Sequence, residues 1–107
     1  MEFLLRDISC IDDIHKVFDK GLGFPSFYGR NPMALIDCLS GLWFEDSGMT
    51  EFYLENDENF EITVIKKSVD QKLCRFLEHI AHDVNSKLEF KNIKGRIIIN
   101  EIDELKK

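Results

Sequence analysis

A chain of 107 residues with 44% hydrophobic side chains suffices for one compact domain over residues 1–107, and a second is not expected. Its net charge of −6 argues against nucleic acid as a partner, and no segment approaches the ~20 consecutive apolar residues that cross a bilayer, so no membrane association is expected. The opening MEFLLRDISC has neither the basic leader nor the apolar stretch of a signal peptide, which points to the cytoplasm.

Phe3 to Leu5 begin the chain as an apolar strand. Ser9, with Asp12 three residues on, predicts a helix start. Ile11, Ile14, Val17 and Phe18 recur at helical spacing, and Gly21 and Gly23 are expected to end that helix. The loop from Phe24 to Gly29 leads to Asn31 as N-cap and Pro32 at the first helical position, where a missing N–H costs nothing. A short helix then runs to about Ser40 and Gly41. Phe52 to Glu55 and Phe60 to Ile65 have strand character, and the turn formers Asn56 to Asn59 between them predict a β-hairpin. Val69, Leu73, Phe76, Leu77, Ile80, Val84 and Leu88 keep the rhythm of a long helix with one buried face. Ile97 to Ile99, introduced by Gly95, read as a strand covered on both sides. Alternating strands and helices specify a small α/β domain, with a mostly parallel sheet covered by helices and an added β-hairpin.

The short helix has two faces. Ala34, Leu35, Cys38, Leu39 and Leu42 gather on one side as core, while Met33, Ile36, Asp37 and Ser40 follow i, i+3, i+4 and i+7 on the other. Two apolar side chains beside a lone carboxylate on an outward face suit an interaction surface. The alternative is that this face packs beneath residues 45–59. Charge is also uneven. Residues 31–65 hold no Lys or Arg and eight acidic residues, Asp37, Glu45, Asp46, Glu51, Glu55, Asp57, Glu58 and Glu61. Such a field attracts a cationic partner, although an acidic run also serves solubility alone.

Phe27-Tyr28-Gly29-Arg30-Asn31, Ala34-Leu35, Asp37-Cys38-Leu39 and Gly41 together resemble the signature of the barstar family, the intracellular inhibitors of barnase-type ribonucleases. The resemblance implies a small three-layer barstar-like domain. It further implies an immunity protein or antitoxin that occludes the active site of a cognate basic toxin, a ribonuclease, one to one through residues 27–41. Carried over, Tyr28, Gly29 and Arg30 lie in the approach loop and Asn31 caps the helix. Asp37 takes the place of a substrate phosphate, and Met33, Ile36 and Ser40 flank it. Glu78 would add a second carboxylate from the long helix. Family members often carry an acidic residue at the position of Met33 and tryptophan at that of Ile36. A toxin with a more apolar rim than barnase is therefore expected.

Other chemistries find little support in the residues. Cys10, Cys38 and Cys74 are odd in number and far apart, which suits reduced, buried thiols and neither a disulfide framework nor a metal knuckle. His79 and Asp83 share the i, i+4 spacing of metal ligands, but two ligands fall short of a zinc site and a solvated face is expected. Cys38 and Ser40 are the nucleophiles near the motif, and neither has an assignable base, so no enzyme activity and no cofactor are expected. Lys66-Lys67 and the group Lys87, Lys91, Lys94 and Arg96 could touch phosphates, against the overall charge. A reading of a different kind is a regulatory module that uses the same fold to bind a protein other than a toxin.

Overall fold

A computed structural model describes residues 1–104. The elements are β1 (Glu2–Leu5), α1 (Ile11–Leu22), α2 (Pro32–Ser40), β2 (Phe60–Ile65), α3 (Gln71–Phe90) and β3 (Ile97–Ile102), with 3-10 turns at Gly41–Trp43, Glu45–Ser47 and Lys66–Ser68. The fold is α/β, a three-stranded parallel sheet in the order β1-β2-β3 with three helices. Among the described residues no helix is long and apolar enough to cross a membrane.

The predicted hairpin does not form. β2 occupies the centre of the sheet, paired with β1 on one side and β3 on the other, so neither of its edges is free to pair with residues 52–55. The segment from Glu51 to Asn56 is instead bonded to other parts of the fold. Glu51 N–H donates to Leu22 at 2.8 Å, Leu54 N–H to Leu42 at 2.6 Å, and Gly95 N–H to Asn56 at 2.7 Å. Trp43 Nε1 donates to the Glu58 carbonyl at 2.8 Å and holds the end of this segment. The sheet is also layered differently from the expected three layers. Both crossovers step in one direction, and right-handed connections that do so place their helices on one face. Phe60, Ile62 and Val64 are buried on that face, whereas Glu2, Leu4 and Ile98 on the other are exposed. Ile98 is thus open to solvent, and β3 is covered on one side only.

The core follows from the helical faces. Phe3 stacks on Phe18 of α1 with ring centroids 4.9 Å apart and meets Phe60 edge-on, joining the first strand, the first helix and the central strand. Gly23 alone ends α1. It takes φ 67°, where a side chain would be strained, and its N–H donates to Asp19. Gly21 lies inside the helix against the Phe3 ring, where a Cβ would stand 2.6 Å from a ring carbon. The α1 N-cap is Cys10, and Asp13 accepts from Ser9 N–H at 3.0 Å in the role expected of Asp12. Cys10 is exposed, so only Cys38 and Cys74 are the buried thiols the spacing suggested. α3 is capped by the Asp70 carboxylate and packs on both α2 and β3.

Candidate functional site

The site is assembled at the start of α2. Asn31 Oδ1 accepts from the Ala34 N–H at 2.9 Å, and Pro32 fixes the first turn, so the helix begins where the sequence indicates. Arg30, just before the cap, takes φ 48°, which turns the chain sharply from loop to helix. Its guanidinium reaches Asp12 of α1 at 3.7 Å. Gly29 leaves room for the Asn31 amide, since a Cβ there would meet Nδ2 at 3.0 Å.

Tyr28 faces inward. Its ring packs edge-on against Phe24, and its hydroxyl hydrogen-bonds His15 Nδ1 on α1. Burial pushes the Tyr28 phenol well above its usual range, so it stays neutral. The tyrosine therefore anchors the loop, while its neighbour Phe27 is turned out and is 77% exposed. Phe27 sits at the corner of the turn that the Tyr28 N–H closes on the Pro25 carbonyl at 3.0 Å.

His15 is 2% exposed and lies against the Tyr28 and Phe76 rings. Burial lowers its pKa below the ordinary 6.5; the Asp12 carboxylate opposes that shift and Arg30 adds to it. The imidazole–phenol bond can form with either partner donating, so the cost of protonation is desolvation. The unfolded chain then takes up its proton first. Stability is fully present above about pH 6.5 and declines as pH falls below it, until the folded imidazole is also protonated. Urea unfolding midpoints measured from pH 7.5 to 5.5 should fall in wild type and fall less in His15→Gln. Equal slopes would show that His15 is not the responsible group.

The outward face of α2 is divided. Met33 is 72% exposed and Asp37 is open, but Ile36 is half-buried against the core. Ser40, expected outside, is buried; its hydroxyl donates to the Ile36 carbonyl at 2.6 Å, and the next residue, Gly41, lies against Met49 and Ser47. The face is thus open to solvent at its Met33–Asp37 end and packed away at its Ser40 end. On the inner side Leu35, Cys38, Leu39 and Leu42 are buried as predicted, and Ala34 is half-buried. Burial, with the Asp37 charge beside it, pushes the Cys38 thiol up to about 11. A buried thiol that is protonated at neutral pH is no nucleophile.

Asp37 is not alone. Lys87 of α3 donates its ammonium to Asp37 Oδ1 at 3.1 Å across the α2–α3 seam, and both side chains remain about half exposed. Fifty positions separate the two residues, and no local pattern signals the pair. Glu78 stands nine residues before Lys87, about two and a half helical turns, and so on the opposite side of the α3 axis. It lines a shallow hollow with Arg75, His79 and His82. The structure therefore brings Tyr28, Gly29, Arg30, Asn31, Met33 and Asp37 together and leaves Glu78 apart from them. Among the described residues no group of three metal-ligating side chains occurs. The acidic segment begins where α2 ends, with Glu45, Asp46, Glu51, Glu55 and Asp57 all exposed. A family model described as Barstar (barnase inhibitor) matches residues 1–91, from β1 through the whole of α3.

Proposed function

The chain belongs to the barstar family of barnase inhibitors, and from that premise we propose that it is an immunity protein whose loop and short helix, residues 27–41, occlude the active site of a cognate ribonuclease toxin one to one. The observation that carries this reading is the open carboxylate of Asp37 on a helix held by an N-cap, an anchored tyrosine and a buried inner face. A ribonuclease binds phosphate with convergent cationic donors, which form a ready site for a carboxylate. Met33, one turn before it on the same face, and the exposed Phe27 of the approach loop supply apolar surface that excludes water and strengthens those contacts. Because both positions flanking the motif's aspartate, 33 and 36, are apolar, barnase is a weak target, and a ribonuclease with a more apolar rim is a strong one. The protein acts in the cytoplasm of the cell it protects.

The exposed acidic residues 45–57 give the encounter a long-range attraction. Association with a basic ribonuclease should slow at least about tenfold between low salt and ~0.5 M salt, while dissociation changes little. Stopped-flow mixing reads both rates. Co-production with barnase-type ribonucleases tests the function itself. Cells should survive at least one of them, and failure to protect against any would refute it.

A further inference from the structure

We propose that Lys87 is an internal counter-ion of Asp37, which the ribonuclease's own cations must displace, so that the site accepts only a pocket where several cations converge. This rests on the reading that Asp37 is the inhibitory carboxylate. In the free protein the Lys87 ammonium sits 3.1 Å from Asp37 Oδ1, and Oδ2 takes no hydrogen bond among the described residues. The pair is half exposed, and such pairs are weak. It is therefore easily opened. The lysine stem is flexible and can swing toward Asp83, which lies one turn earlier on the same side of α3 and is exposed.

Selectivity follows from what the exchange gains. Replacing one solvated ammonium by one solvated cation of a partner changes almost nothing, because the new pair resembles the old one. A phosphate pocket differs in kind. Its cations converge in a site poor in water, where one carboxylate accepts several charge-assisted hydrogen bonds at once. Were Lys87 to stay in place, its ammonium would stand beside those cations in a medium of low dielectric, and the repulsion would oppose closure. Lys87 thus holds the carboxylate in orientation when free and penalises partners that offer a single cation.

The test uses the whole chain and barnase as the ribonuclease probe, at concentrations that read weak inhibition of RNA cleavage. Wild type is compared with Lys87→Met, Lys72→Met and Asp37→Asn. Lys72 is an exposed lysine near the other end of α3, about 22 Å along the axis from Lys87, so its removal changes net charge equally without touching the pair. Lys87→Met should tighten inhibition about two- to fivefold, the worth of the exposed pair it removes, and clearly more than Lys72→Met. Asp37→Asn should weaken it. If Asp37→Asn weakens inhibition while Lys87→Met gains no more than Lys72→Met, or loses, the counter-ion proposal is overturned and the ribonuclease reading stands. If Asp37→Asn inhibits as wild type does, or if no chain inhibits barnase or any ribonuclease of the co-production test, that reading falls and the proposal with it.

Discussion

Asp37→Ala should weaken the complex with the ribonuclease by about 3–5 kcal/mol, a loss of roughly two to four powers of ten in affinity. The size comes from what is left behind. Removing the carboxylate leaves the toxin's phosphate-binding cations buried in the interface without a counter-charge, and stranding a charge costs more than the pair gains when made. The same change should barely affect folding, because Asp37 is open and its pair with Lys87 is half exposed, so the stability at risk is ~1 kcal/mol or less. Met33→Ala should act in the same sense and more weakly, since it removes packing and strands nothing. Calorimetric titration beside thermal melts separates the two effects. A variant that melts and binds as wild type does would show that α2 is not the inhibitory element.

Leu35→Ala should have the opposite profile. Leu35 is fully buried on the inner side of α2, which packs on α3, so truncation opens a cavity that rigid neighbours cannot fill. The expected cost is about 2–5 kcal/mol of stability, read as a lower urea midpoint with an unchanged slope. That is a large fraction of the stability of a small domain. The folded fraction should still inhibit, because Asn31, Pro32 and Asp37 keep their places at the surface. If Leu35→Ala lost affinity while keeping its unfolding midpoint, the two faces of the helix would have been assigned the wrong way round.

What the sequence made legible was local. The Asn31 cap, Pro32 and the i, i+3, i+4 rhythm of Leu35, Cys38 and Leu39 are decided within one or two turns, and the helix lies where they put it. Ser40 shows where that logic stops. Its position on the helical wheel faces outward, yet it is buried beside Gly41, which lies against Ser47 and Met49. The hairpin failed for a related reason. Residues 52–55 have strand-like composition, but β2 had both edges taken by β1 and β3, and long-range pairing overrode propensity. Ile97 to Ile99 looked buried on both faces, and only the direction of the two crossovers reveals that one face of the sheet is bare. The pairing of Lys87 with Asp37 could not be read at all. The lysine belongs to a different helix from Asp37, and the packing of α3 on α2 alone brings them together.

The central claim is that a carboxylate of this protein occupies the place of a substrate phosphate, and competition addresses it most directly. Binding of the ribonuclease is measured in the presence of increasing amounts of a nucleoside monophosphate that fills the enzyme's phosphate site. The account predicts mutual exclusion, with the apparent Kd rising in proportion to nucleotide once that site is saturated and no ternary complex at any concentration. A Kd that stays constant while nucleotide remains bound would place the inhibitor away from the active site and contradict the account.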